Sequence, residues 1–406
     1  MAQGLGTNGI AALNIAIPVY SFIHGSGLML GIGGGVLFSS ARGAGEYKNS
    51  EKFYSLTVML GILFAAIFVL LGIFCSRNIA SLLGGNNETL EMSATYIKVL
   101  LLFSPAFLLN NITVAFVRND GAPSLAMAGM LVGSFSNIIL DYIFIFPCNM
   151  GIFGAVFATC LAPIISLCVI SAHFIKKKNN FKICKVKAEK SIFGKIVVCG
   201  VPSLVNEISS GIVIIVFNII MLEIAGNTGV AAYGIIANIS LVVLSIYTGI
   251  AQGIQPLVSK YYGGGNMINL KKILKYAIVS CALISAVVYF IIFFGADGIA
   301  SVFNKEADAG LQSIAADGMK IYFTGCIFAG INIIISIYFT ASGGEKKGNA
   351  ISLLRGFIII IPTALLLSQI FNINGLWSAF PITEGIVAVI GIMMYGNFRK
   401  KIKDPI

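Results

Sequence analysis

Eleven long apolar runs separated by short polar turns constrain this chain more than any other feature. They cover residues 10–40, 52–75, 93–117, 124–147, 151–175, 193–222, 229–260, 271–295, 312–341, 347–371 and 373–397. A helix crosses the hydrocarbon core in roughly 20 residues, so each run is long enough to span a bilayer. The runs are continuous rather than alternating, which argues against membrane strands. Lipid offers no hydrogen bonds to a bare backbone, and a helix satisfies its own N–H and C=O groups. Hydrophobic residues make up 57% of the 406 and charged residues 11%, against about 25% charged in a soluble domain. The sequence therefore predicts an all-α polytopic membrane protein.

The formal charge of +11 needs an explanation in the same terms. If sides alternate at each run, one side collects Arg42, Lys48, Lys52, Arg118, the cluster from Lys176 to Lys195, Lys260, Lys271, Lys272, Lys275, Lys346, Lys347, Arg355 and the tail from Arg399 to Lys403. That side holds 23 of the 27 basic residues, and the other has Arg77, Lys98, Lys305 and Lys320. Basic loops stay cytoplasmic, so the expected C-terminus is cytoplasmic and the N-terminus outside, in a cell (plasma) membrane. The charge reports orientation, and nucleic acid is not an expected partner. Eight cysteines without CxxC, two histidines without HExxH and no Walker motif argue against a zinc or haem enzyme and an ATPase. No cofactor is expected, and the chain is expected to be a monomer.

The chain also resembles itself. A shift of 220 residues sets Gly9-Ile10-Ala11-Ala12-Leu13 on Gly229-Val230-Ala231-Ala232-Tyr233, and Gly43-Ala44-Gly45 on Gly263-Gly264-Gly265. A shift of 222 sets Lys98 on Lys320, Asn110 on Asn332 and Gly121 on Gly343; a shift of 224 sets Thr159 on Thr383. The expected organisation is an N-terminal lobe over 1–178 with five of six helices, a Lys-rich linker over 179–192, a C-terminal lobe of six helices over 193–398 and a tail over 399–406. Two homologous bundles would then be related as parallel repeats. Eleven helices are present of an expected twelve, the first of the fold lacking a counterpart.

Several segments resemble the multidrug and toxic compound extrusion (MATE) transporters, and within them the MepA-like branch. They are Leu5-Gly6-Thr7-Asn8-Gly9-Ile10-Ala11-Ala12, Ala41-Arg42-Gly43-Ala44-Gly45, Val117-Arg118-Asn119-Asp120-Gly121, Asn137-Ile138-Ile139-Leu140-Asp141 and Gln252-Gly253-Ile254-Gln255-Pro256-Leu257. The resemblance implies two six-helix bundles around a central cavity. It also implies antiport, with Na+ or H+ entering as a cationic amphiphile leaves. An acidic residue of the family's cation site would fall on the missing helix.

Ionisable groups inside a span cost about 2.5–3.5 kcal/mol on the insertion scale and are functional candidates by default. Only Asp141, Glu207 and Glu384 lie well inside predicted helices, with Arg355 the one comparable base. Asn137 is four residues before Asp141, hence on the same helix face. Thr159 lies as far beyond the turn near Met150 as Asp141 lies before it, which predicts equal depth on adjacent helices. Carboxylate, amide and hydroxyl oxygens suit a small hard cation, and a structural trio locking two helices is the alternative. The resemblance carries Asn137, Asp141 and Thr159 over to the N-lobe cation site.

The other candidates concern cargo. Asn110 and Asn111 either contact drug or join helices, and the resemblance places them on the substrate wall. Glu207 and Glu384 follow Pro202 and Pro381 near the midplane, where a carboxylate can neutralise a cationic substrate; Glu384 could instead pair with Arg355. Gln255, with Gln252, precedes Pro256 and serves either substrate or interhelical hydrogen bonds. His24 is a structural histidine or a proton relay. Prolines 18, 105, 163, 202, 256, 362 and 381 fall in or near the starts of spans and mark expected kinks. A lipid-linked saccharide flippase would want a basic cavity, whereas this interior leans acidic; an inactive fragment is the remaining alternative. The topology has a direct check. With the native cysteines replaced, Lys187→Cys is expected to react with an impermeant maleimide in everted vesicles and not in intact cells. The opposite pattern would invert the orientation.

Overall fold

The computed structural model describes residues 2–86, 88–304 and 307–403, and for 2–8, 10 and 399–403 it describes the backbone alone. The side chains of motif residues 5–8, those of the basic tail, and Lys305 therefore lie outside the described set. The described chain is helical almost throughout. Its elements are α1 (Ala2–Gly43), α2 (Tyr47–Phe74), α3 (Ser76–Leu82), α4 (Leu90–Leu102), α5 (Ser104–Asn119), α6 (Pro123–Ile145), α7 (Gly151–Ile170), α8 (Ala172–Ile175), α9 (Lys190–Gly263), α10 (Met267–Phe303), α11 (Ala309–Tyr322), α12 (Cys326–Ala341), α13 (Glu345–Leu353) and α14 (Ile360–Lys403).

Eight helical stretches of the described residues are long and apolar enough to cross a membrane, and α4 with α5, bent by 47°, makes a ninth. Two of these stretches contain a non-helical residue, Gly226 (φ 61°) in α9 and Asn372 (φ 51°) in α14. Each break divides its stretch into two arms, so the described residues make eleven crossings. The α4–α5 bend falls at Phe103, just before Pro105 in the first turn of α5. Pro18 and Pro163 sit inside unbroken helices, and Pro381 inside the second arm of α14. The sharp reversals come from Gly226 and Asn372, residue types that tolerate positive φ.

Four turns on the basic side share one construction. Gly45 has φ 79°, and the N–H of Glu46 reaches back to the Ala41 carbonyl at 2.8 Å. Gly265 has φ 70°, with Asn266 N–H on Tyr261 at 2.9 Å. Gly121 and Gly343 repeat the pattern, at φ 91° and 78°. This is a helix ending in which a left-handed residue lets the chain satisfy its last carbonyls before it turns back.

Contacts divide the chain into two compact units, Met1–Ile208 and Ser209–Ile406. The first turns of α9 thus pack in unit 1. Ile196 belongs to that unit's buried core, flanked by Phe193, Val197, Val201 and Leu204. The backbones approach so closely that a Cβ on Gly200 would overlap the Met29 carbonyl, and one on Gly33 the Ile196 carbonyl. Small residues are the usual means by which membrane helices pack this tightly.

The Lys-rich segment before α9 is laid down on the same unit. Phe181 is buried among Phe38, Tyr54, Phe116 and Phe174. The nearly inaccessible Asp120 carboxylate accepts from Asn180 N–H at 2.9 Å and meets His173 Nε2 at 2.9 Å, while Arg42 donates to the Asn180 carbonyl. Further along, Cys184 N–H donates to Ser55 Oγ at 2.9 Å and Lys52 pairs with Glu189 at 2.6 Å. Gly200→Val is expected to destabilise this unit by about 1–3 kcal/mol through overpacking. Thermal unfolding in detergent reads the effect, and an unchanged midpoint would mean that α1 and α9 do not touch there.

Candidate ion and substrate site

Helices α6 and α7 are antiparallel, and their register follows from their glycines. Gly129 faces Ser166 and Ile170, Gly133 faces Ala162 and Ser166, and Gly154 faces Phe144. Continued at about 1.5 Å per residue, that register brings Asn137 level with Thr159, and Asp141 within about one turn of it. All three are half-buried. On α4, the buried Tyr96 lies near Thr159 and within the electrostatic reach of Asp141. Thr159 Oγ also donates to Ala155 O at 3.1 Å.

Two buried atoms of this cluster, Asp141 Oδ1 and Asn137 Nδ2, have no hydrogen-bond partner among the described residues. Buried polar atoms are almost always satisfied, so an exception calls for a ligand, a proton or an ion. No group of three or more His, Cys, Asp or Glu side chains gathers among the described residues. The donors are instead one carboxylate, one amide and one hydroxyl, which suit Na+ or a proton rather than a soft metal.

A second acid takes a different environment in the same unit. Glu207 Oε1 lies 3.4 Å from His24 Nδ1, with side chains 33% and 30% exposed respectively. Tyr20 stacks on the His24 ring at 5.7 Å and meets Phe107 edge-on at 5.8 Å. Tyr20 also lies in the field of both Glu207 and Tyr96. A partly open carboxylate beside aromatic faces is the chemistry that binds an organic cation. On α5, Asn110 Oδ1 is buried without a hydrogen-bond partner. Asn111 donates to Phe107 O at 3.1 Å and packs on Gly27 of α1, so it lies in the α1–α5 contact.

Unit 2 holds the remaining candidates. Gln255 is buried, and its amide donates to Ser259 Oγ at 3.2 Å. Glu384 is engaged in full. Arg355 donates to it through Nη2 at 2.7 Å and Nε at 3.1 Å, and Asn332 Nδ2 donates to its other oxygen at 2.7 Å. Sequence reasoning had no means of finding Tyr96 or Asn332 as neighbours of these acids. Neither stands at a fixed spacing from its partner, and each arrives from a different helix.

These features define a multi-pass helical membrane carrier with acids placed in its interior. The chain belongs to the MatE family, which it matches over residues 1–143 and 202–366. That is a family of transporters, not enzymes. The chain is 28% identical over 395 residues to the multidrug export protein MepA of Staphylococcus saprophyticus subsp. saprophyticus, covering 97% of this chain and 86% of that one. It is 27% identical, with the same coverage, to MepA of Staphylococcus aureus strain MSSA476. Solved structures share the fold. The outward-facing conformation of a multidrug resistance MATE family transporter of the MOP superfamily superposes with TM-score 0.92 at 22% identity, covering 98% of this chain and 90% of that one. A MOP superfamily transporter from Pyrococcus furiosus gives TM-score 0.92 at 22% identity, covering 100% and 91%.

Proposed function

We propose that this chain is a cation-coupled antiporter that exports cationic amphiphilic compounds by alternating access. The observation that carries the reading is the buried, unpartnered oxygen of Asp141 beside Asn137, Thr159 and Tyr96. A bare carboxylate in a low-dielectric interior is costly, so Asp141 crosses the cycle loaded with Na+ or a proton. Either ion carries one positive charge and neutralises the same group. Asn137 and Thr159 supply amide and hydroxyl oxygens to Na+ or hold the protonated carboxyl in place.

Cargo is assigned to the second acid. Glu207 offers negative charge, Tyr20 and His24 offer ring faces, and Asn110 offers an unpartnered amide oxygen. Asn111, packed in the α1–α5 contact, and Gln255, bonded to Ser259, are assigned a supporting part in cargo contact. Glu384, already answered by Arg355, is assigned to holding helices together rather than to cargo. The multidrug export proteins at 27–28% identity support the cargo class.

The position of the basic residues supports a cytoplasmic C-terminus in the plasma membrane, and we propose a monomer. The proposed pseudo-repeat finds support in the matched turns, Gly45 with Gly265 and Gly121 with Gly343, all at positive φ. The test is dye efflux in everted vesicles, driven in turn by a Na+ gradient and by a pH gradient. One gradient is expected to drive export, and Asp141→Asn to abolish that drive while the protein still reaches the membrane. Undiminished gradient-driven export by the variant would refute the assignment.

A further inference from the structure

Unit 2 contains an acid more deeply buried than Asp141, with the opposite surroundings. Glu384 and Arg355 are 4% and 10% exposed, and the two meet through a fork of hydrogen bonds at 2.7, 3.1 and 3.3 Å. Asn332, itself fully buried, donates to the Glu384 carboxylate at 2.7 Å and to its backbone carbonyl at 2.9 Å. Both carboxylate oxygens are occupied. A guanidinium keeps its charge in proteins and matches a carboxylate in two-pronged geometry.

The backbone is shaped for this contact. Arg355 lies in a π-helical turn, Leu354–Ile358, closed by Ile359 N–H on the Leu354 carbonyl at 2.9 Å. Pro362 follows, and a proline ring crowds the carbonyl four residues earlier, here that of Ile358. Widening the turn relieves that crowding, and π-turns concentrate at functional positions. The sequence correspondence adds a second observation. Thr383, adjacent to Glu384, aligns with Thr159 of the proposed ion site, and its buried hydroxyl has no hydrogen-bond partner among the described residues.

We infer that Arg355 is a tethered counter-cation: it permanently fills the carboxylate site of unit 2, so Glu384 exchanges no ion and unit 1 alone carries coupling. The last clause rests on the antiport reading given to Asp141; the occupation of Glu384 does not. The other titratable side chains facing the pair are Tyr322 on α11 and Cys326 on α12. Removing the guanidinium while keeping Glu384 converts a filled site into an open one, which draws its cation from solution.

The experiment measures ion-linked thermal stability of the full chain in detergent, with Asp141→Asn as background to silence the first site. In that background, raising Na+ about a hundredfold, or proton activity by as much, is expected to leave the midpoint unmoved at Glu384: adding Glu384→Gln changes nothing in the ion response. Adding Arg355→Gln instead is expected to create a response of about 2–4 °C, and Arg355→Gln with Glu384→Gln to abolish it. The Na+ and pH arms tell which cation enters. A folded Asp141→Asn/Arg355→Gln protein without an ion response would overturn the inference. So would an ion response in Asp141→Asn alone that Glu384→Gln removes. If the Arg355→Gln protein does not fold, Arg355→Gln with Glu384→Gln on the wild-type background decides, because the inference requires the wild-type ion response to survive there. An Asp141→Asn protein that keeps the full wild-type response would sink the ion role of Asp141 and leave the occupation of Glu384 to be judged by these same comparisons.

Discussion

A carboxylate in the bilayer interior has no water to answer its charge, and the chain answers its three interior acids in three ways. Glu384 receives a permanent guanidinium and an amide, both within 3.1 Å. Glu207 has an imidazole 3.4 Å away and keeps about a third of its side chain open. Asp141 retains an oxygen with no described partner. The three differ in how much of their demand the protein itself supplies. Under the proposed antiport, the acid left least satisfied is the one that takes a cation from outside.

The rest of unit 1 can be understood as support for this arrangement. Gly129 and Gly133 let α6 and α7 lie close together, with Asn137 level with Thr159 and Asp141 within about one turn. The tight approach of Gly200 to Met29 and of Gly33 to Ile196 fixes the start of α9 against α1. That contact places Glu207 beside His24. Below them, Phe181 in its aromatic surround and Asp120 with His173 and Asn180 tie the Lys-rich segment to the ends of the helices. Positions of side chains are therefore set by close-packed backbones rather than by many polar bonds, as expected where lipid removes the hydrophobic drive between helices.

Much of this was legible in the sequence because the membrane simplifies the code. A run of some twenty apolar residues has one outcome, and all eleven expected spans correspond to helical arms. The four-residue spacing of Asn137 and Asp141 and the symmetric placement of Thr159 about the turn pointed to neighbouring helices, but the register puts Asn137 rather than Asp141 level with Thr159. What could not be read depends on contacts between helices distant in sequence. Tyr96 reaches Thr159 across 63 positions, and Asn332 reaches Glu384 across 52. The segment 179–192 read as a plain basic linker, because one phenylalanine among lysines gives no sign that it will be buried. Kinks were expected at prolines, yet the largest departures from helical geometry fall at Gly226 and Asn372, where one expected run ends and the next begins. A proline removes one hydrogen bond and a helix bridges the gap, whereas positive φ reverses the chain.

The central claim is that one carboxylate, Asp141, exchanges one cation while cargo is held elsewhere. It is tested most directly by the reversal potential of substrate flux in proteoliposomes, using a monovalent organic cation against a fixed ion gradient. The account predicts a one-for-one, electroneutral exchange whose direction is insensitive to membrane voltage. A flux that reverses with voltage as two ions per substrate would show a second exchanging acid and contradict it.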